Sequence, residues 1–388
     1  MAKKKKNEIF KFFGITKPLF VMTGLAGDNI KRFVDREEQL DYFIASIGMG
    51  QKCAVIGEQG TGKTSFLLKL LDMMKDSVYC DYLQFSFPME ESEQSRLHFL
   101  RKILRTLLSL IAKNDKLLDK IGKDEISFEM ERLEYSIIIE NQVKTLKSVE
   151  GEIDAGIKGN FWKILIPAEF RAKLAAKREK EKQDIEKKDY PIHNENTLYN
   201  TIIKLLEKLD EPIVLFIDEL DKVGRFPLES PEWDKEVMKI LELSREIMLS
   251  EKIILVFALQ NELYEKLRKA QKEEGDVSIL GLINSFKKLE GFDLEFAKEA
   301  VDASLKHAGY KGTPEDLFAT GIIEIILKVV NGNPRLLMYY LLELSKNAFL
   351  KKQLPITLAL LKDLLMEINE KMDNKKWNEL VKQIPSSE

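Results

Sequence analysis

Gly57-Glu58-Gln59-Gly60-Thr61-Gly62-Lys63-Thr64 follows the apolar run Cys53-Ala54-Val55-Ile56 and precedes the helical pattern Ser65-Phe66-Leu67-Leu68-Lys69-Leu70-Leu71. The spacing is that of a phosphate-binding loop, G-x-x-x-x-G-K-T, in the setting the motif requires, a strand before and a helix after. Its glycines let the backbone turn N–H groups inward onto phosphate oxygens, and the helix that opens there adds the positive end of its dipole. Lys63 is placed to reach the β- and γ-phosphates, with Ser65 closing the loop's contacts. Thr64 supplies a hydroxyl to Mg²⁺, a cation that keeps several waters and takes few protein ligands. The chain is expected to bind a nucleoside triphosphate with Mg²⁺.

Working outward, the 388 residues exceed a single core, so two or three domains are expected. Lys+Arg (61) nearly balances Asp+Glu (64), leaving a net charge of -3. No global positive field announces nucleic acid, and any such contact must come from a local patch. Cys53 and Cys80, the two cysteines, stand in apolar strand-like runs without a zinc or disulfide spacing. That usage fits a reducing compartment, and the expected setting is the cytoplasm. The basic start Met1 to Lys6 is followed by Asn7 to Phe20, which Glu8, Lys11 and Lys17 interrupt, so no signal peptide is read. Ile213 to Ile217 and Ile253 to Leu259 are too short to span a bilayer.

Strand and helix patterns alternate as in an open parallel sheet covered by helices. Strands are expected at Lys52 to Ile56, Val78 to Phe87, Ile213 to Ile217, Ile253 to Leu259 and Lys288 to Phe292. Between the second and third lies a long insertion. It opens with an amphipathic helix over Glu93 to Ala112, then a hairpin within Val149 to Pro167, then a solvated charged helix over Glu169 to Asp189. In the hairpin Phe161 and Trp162 read as packing first and partner docking second. Leu198 to Leu209 returns as a helix.

The third strand, Ile213-Val214-Leu215-Phe216-Ile217, ends in Asp218-Glu219-Leu220-Asp221. An uninterrupted apolar run reads as a central strand, and ligands of open α/β sheets collect at strand carboxyl ends. Asp218 fits a role on Mg²⁺, mostly through water, and Glu219 a role as the base that orients and polarises the attacking water. Asp221 is open between a cap and a catalytic role. Gln260 and Asn261 end the fourth strand, where either can bond the γ-phosphate or attacking water, or cap the next helix. Asn331-Gly332-Asn333-Pro334-Arg335 puts a turn before the helix Leu336 to Leu350. An arginine at a helix start is disfavoured by the dipole unless an anion lies near, so Arg335 reads as a phosphate sensor or as a surface arginine.

Phe33-Val34-Asp35-Arg36-Glu37-Glu38-Gln39-Leu40, the two phosphate motifs, Gln260-Asn261-Glu262-Leu263 and Gly332-Asn333-Pro334-Arg335 together resemble the AAA+ ATPases. Within them the set is similar to the group that holds archaeal origin-recognition initiators, ATPases of ExeA type and transposon target-selection ATPases. The likeness covers about Arg32 to Phe87 and Leu198 to Glu370. It implies ATP as the nucleotide, an adenine pocket lined by Phe33 to Leu40, with Phe33, Val34 and Arg36 among its contacts, sensor 1 at Gln260 or Asn261, and sensor 2 at Arg335. It also implies a P-loop NTPase parallel sheet of AAA+ type with a C-terminal helical lid. The expected division is a basic N-terminal extension over 1–31, an ATPase domain over 32–292 with its insertion at about 88–197, a lid over 293–370, and a C-terminal helix and tail over 371–388.

Two departures mark the chain. Asn284-Ser285-Phe286-Lys287-Lys288 lacks the arginine that assembling members often present to a neighbour; Arg225 is one substitute, though it reads first as a loop arginine. After Glu370 there is room for one helix, Asn374 to Lys382, and not for the initiators' winged helix, so DNA reading by that route is not expected. The function expected is an ATP-hydrolysing switch that couples nucleotide state to conformation or to assembly on a protein partner, itself or DNA. The alternatives are a STAND-like sensor with slow turnover and a nucleotide-dependent adaptor of a mobile-element or defence system.

Overall fold

The computed structural model describes residues 2–85, 95–134, 194–220, 240, 244–274 and 279–372. The expected hairpin with Phe161 and Trp162, the charged helix Glu169 to Asp189, Asp221, Arg225 and the terminal helix Asn374 to Lys382 lie outside them. Strands β1 (Lys52–Gly57), β2 (Cys80–Gln84), β3 (Ile213–Asp218), β4 (Ile253–Gln260) and β5 (Ile283–Leu289) form a five-stranded parallel sheet in the order β2-β3-β4-β1-β5. Every residue of β3 is buried, as the uninterrupted apolar run requires of a strand covered on both faces.

β5 corrects the expected strand at Lys288 to Phe292, which overlaps only its last two residues. Asn284, Ser285, Lys287 and Lys288 break the apolar run, and an outermost strand tolerates such residues. Ser285 points inward all the same, where its hydroxyl meets Ser46 Oγ at 2.9 Å and Gln51 Oε1 at 2.7 Å. β2 begins two residues after the expected start at Val78, and the expected end at 86–87 lies outside the described residues.

The chain forms two compact units. The first takes Met1–Met74, Phe257–Arg268 and Ser285–Glu388. It holds helices α1 (Ala2–Phe13), α2 (Glu37–Gly48) and α3 (Lys63–Met74), then the lid helices α8 (Leu294–Ala308), α9 (Pro314–Leu317), α10 (Ile322–Val329), α11 (Pro334–Lys351) and α12 (Leu358–Met372). Asp293 caps α8 by accepting the Phe296 N–H at 2.9 Å. Phe13, Ile15, Leu19 and Phe20 lie in the same apolar core as Val301, Leu305, Leu341 and Leu361 of the lid. The segment read as a basic extension is therefore packed into the lid's interior. The N–H groups of Thr16 and Lys17 donate to Ala308 O at 2.8 and 3.2 Å, and Arg32 donates to Leu19 O and Pro18 O, both at 2.8 Å.

The second unit takes Lys75–Val256 and Lys269–Asn284. Here β2 and β3 run parallel, with Tyr82 opposite Phe216 and Gln84 opposite Asp218. Helix α4 (Ser95–Lys113) buries Phe99, Leu100, Ile103, Leu104, Leu107, Leu108 and Ile111, a stripe at helical spacing, and packs on β2 and on α6 (Glu195–Glu207). Between them runs α5 (Asp115–Ile121). Asn194 and Thr197 close α6 with a reciprocal capping box.

Candidate nucleotide site

The phosphate loop belongs to the first unit. β1 delivers the chain to Gly57, where a Cβ would stand 2.6 Å from Thr61 Oγ1 and 3.0 Å from Leu289 O. Gly60 and Gly62 sit at φ +86° and +93°, the left-handed region that a Cβ makes costly. Thr61 Oγ1 donates to Glu58 O at 2.9 Å, closing the loop on itself. Lys63 opens α3, and its ammonium donates to Gly57 O at 2.8 Å and Glu58 O at 2.9 Å, so the charge lies over the start of the loop.

Behind the loop, the chain entering from the lid core is fastened to the first turn of α3. Ser65 Oγ accepts the Leu25 N–H at 3.1 Å, and a Cβ on Gly24 would meet the Thr64 methyl at 2.5 Å. Arg36 approaches the loop from another side, its Nη1 lying 3.4 Å from where a Gly62 Cβ would be. Arg36 is buried, donates from Nη2 to Glu290 O at 3.0 Å, and stands 5.8 Å from the Phe292 ring centre. Burial lowers its pKa to about 10. Asp35 and Arg36 both have left-handed backbones, at φ 66° and 71°, and burial raises the Asp35 carboxyl above its ordinary range. Phe33 and Val34 are half-buried ahead of them.

Gln260 is the last residue of β4, half-buried, and Asn261 is the first of α7 (Asn261–Glu274). The Arg335 side chain is exposed, while its N–H points at Gly60 O at 3.4 Å. Its neighbour Asn333 makes the closer contact, donating from Nδ2 to Gln59 O at 2.8 Å while Oδ1 accepts the Leu336 N–H at 3.2 Å and caps α11. The turn is held from below, since Phe292 N–H donates to Gly332 O at 2.8 Å and a Cβ on Gly291 would be 2.8 Å from that oxygen.

The carboxylates belong to the second unit. Asp218 is buried at the end of β3, with Oδ2 accepting the Tyr82 hydroxyl at 2.6 Å and Oδ1 the Glu219 N–H at 2.8 Å. Burial first, and the Asp218 charge second, push the Tyr82 phenol far above its ordinary range, so it serves as a donor. Glu219 stands at φ 57°, a conformation that costs a non-glycine residue about 1 kcal/mol or more, and its Oε2 accepts from Gln84 Nε2 at 2.6 Å. Among the described residues no three or more His, Cys, Asp or Glu side chains gather as a metal cage.

Sequence reasoning missed Tyr82, Gln84 and Asn333. The first two lie on one face of β2, two residues apart, and only knowledge of which strand pairs with β3 reveals their partners. Asn333 stood in the quoted turn, but its donor faces a loop 274 positions away in sequence.

Residues 48–346, from the end of α2 into α11, match the family model described as the KAP family P-loop domain. The chain belongs to this family. Both phosphate motifs and the lid turn fall within the matched span. Among solved structures it is similar to the Walker-type ATPase PABY2304 of Pyrococcus abyssi, at 14% identity and TM-score 0.47, covering 92% of this chain and 79% of that one. It is also similar to the Aeropyrum pernix ORC1 protein in complex with DNA, at 10% identity and TM-score 0.48, covering 91% and 71%. A third is the Aeropyrum pernix ORC2 protein, in ADPNP-ADP complexes, at 12% identity and TM-score 0.45, covering 93% and 71%. No curated protein matches the chain. As a KAP family P-loop domain it is a nucleotide-binding NTPase, and among the described residues no helix is long and apolar enough to cross a membrane.

Proposed function

We propose that this KAP family chain binds ATP with Mg²⁺ and hydrolyses it as a switch that couples nucleotide state to its lid. The observation that carries the reading is the loop itself, with left-handed Gly60 and Gly62 and with Lys63 at the head of a helix. The loop follows β1 and the carboxylates follow β3, and in parallel sheets ligands collect at the carboxyl ends of strands. In this reading Gly57 to Ser65 hold the phosphates, with Lys63 on the β- and γ-oxygens. Thr64 and Asp218 hold Mg²⁺, which neutralises charge on the phosphates when bound. Glu219 orients the attacking water and takes its proton. Gln260, Asn261 and the Arg335 side chain complete the γ-phosphate contacts, and Phe33, Val34 and Arg36 the nucleoside's. The lid, proposed at 293–370, moves together with the N-terminal segment that fills its core. A cytoplasmic setting is proposed on the unpaired thiols of Cys53 and Cys80, which burial pushes up to about 12 and about 11. The output is proposed to be a protein partner or self-assembly, with DNA as the competing client.

A second reading, a nucleotide-holding switch with slow turnover, is favoured by the hydrogen bond from Gln84 that occupies Glu219. Binding and turnover measured on two variants separate the cases. Lys63→Ala should weaken ATP binding strongly, and wild-type affinity in that variant would remove the loop from nucleotide binding. Glu219→Gln should keep ATP bound while hydrolysis falls roughly a hundredfold. Equal rates for variant and wild type would take Glu219 out of the base role, and ADP co-purifying with a wild type of negligible turnover would select the slow switch.

A further inference from the structure

A phosphate loop turns its N–H groups inward, so its carbonyls face outward and are open to whatever lies behind. Here the carbonyls of Gln59 and Gly60 meet the first turn of α11, one through Asn333 Nδ2 at 2.8 Å and the other through the Arg335 N–H at 3.4 Å. The fit leaves no slack, because a Cβ on Gly60 would stand 2.6 Å from Asn333 Oδ1 and 2.9 Å from Nδ2.

The residue type is specific to this arrangement. Ser, Asp and Asn cap helices about equally well, but only an amide accepts with one atom and donates with another. Asn333 does both at once, capping α11 with Oδ1 and holding Gln59 O with Nδ2. The Gln59 carbonyl shares its peptide with the Gly60 N–H, and a carbonyl that accepts a hydrogen bond polarises its peptide and strengthens the N–H on the other side.

We infer that Asn333 is a positioning residue for phosphate binding, tying the lid to the backbone of the loop so that the lid reads whether the loop is in its phosphate-holding conformation. The inference rests on the loop being a nucleotide site. It differs from the role proposed for the Arg335 side chain, a contact with the γ-phosphate that ATP alone would offer. A contact made to the loop's own peptide responds to any bound phosphate chain, so both nucleotides gain equally from it. By reciprocity, either nucleotide strengthens the seating of the lid.

Asn333→Ser tests this, since it keeps a neutral cap on α11 but is too short to reach Gln59 O, while Asn333→Ala loses cap and contact together. Affinities for ATP and ADP, melting temperature without nucleotide and hydrogen exchange of 294–370 are measured on both variants, on Arg335→Ala, on Lys63→Ala and on wild type. Asn333→Ser is expected to retain the melting temperature that Asn333→Ala loses. It should weaken ATP and ADP by the same factor, roughly threefold to tenfold for one lost hydrogen bond, and abolish nucleotide-dependent protection of the lid. Wild-type affinities in Asn333→Ser, or a loss confined to ATP, overturn the inference while leaving the nucleotide site in place. If wild type and Lys63→Ala alike bind neither nucleotide, the reading of the loop fails and the inference falls with it.

Discussion

At the scale of single residues, Glu219 combines a left-handed backbone with an acceptor oxygen engaged by Gln84. The Gln84 amide occupies one of the two carboxylate oxygens with which a general base would take the proton of an attacking water. Gln84→Ala should therefore raise turnover severalfold with ATP affinity unchanged, read as a kcat increase at constant KM. A fall in kcat would instead make Gln84 the residue that aims Glu219. Arg36 carries a second prediction. It spans Glu290 O and the Phe292 ring with a planar group that lysine cannot mimic, so Arg36→Lys should lower nucleotide affinity and thermal stability together. An Arg36→Lys protein that melts and binds as wild type does would reduce Arg36 to a tolerated buried cation. The sequence displayed the identity of these residues, and for Lys63 and Asp218 their neighbourhood too, because each sits in a local pattern. Gln84 was hidden because its meaning comes from register with β3, which no local pattern encodes.

Among the elements, the segment from Gly14 to Arg32 contributes more than its irregular backbone announces. It is bonded to α8 through Ala308 O at one end and to α3 through Ser65 at the other. Asp28 pairs along the way with Lys17, Lys31 and His307, and the two lysines hold its carboxyl well below the usual carboxylate range. Gly24 has an ordinary φ, so a side chain there meets steric resistance only, from the Thr64 methyl. Gly24→Ala should lower affinity for ATP with Mg²⁺ and leave a matched Gly48→Ala control, where a Cβ meets nothing within 4 Å, indistinguishable from wild type. Equal binding by the two variants would show that the contact at Thr64 yields without consequence. β1, β3 and β4 were legible because central strands read as unbroken apolar runs. β5 was displaced because its polar residues belong to an outermost strand, and the role of 14–32 was invisible because apolar spacing says that Phe13, Leu19 and Phe20 are buried but not against what.

For the whole molecule, the near balance of Lys+Arg (61) and Asp+Glu (64) leaves no field to steer a polyanion, so partner choice falls to local surfaces. Removing residues 1–20 should unseat the lid, since four large apolar side chains leave its core and each contributes about 1.5–3 kcal/mol on burial. Faster hydrogen exchange throughout 294–365, with exchange in β3 and α4 unchanged, is the expected result. Uniform exchange in the truncated and full chains would show that the lid folds without them.

That shared core also orders events in time. Phe13 and Phe20 are made well before Val301, Leu341 and Leu361, whose core they share and which follow after most of the 388 residues have been added. At a synthesis rate of about 5–20 residues per second, the early aromatics wait on the order of tens of seconds for their partners. Through that interval Phe13, Ile15, Leu19 and Phe20 have no interior to enter, and such exposed apolar segments are what chaperones bind. The lid is thus completed only after all five strands of the sheet have been made, and its yield depends on what shelters Phe13 to Phe20 until then.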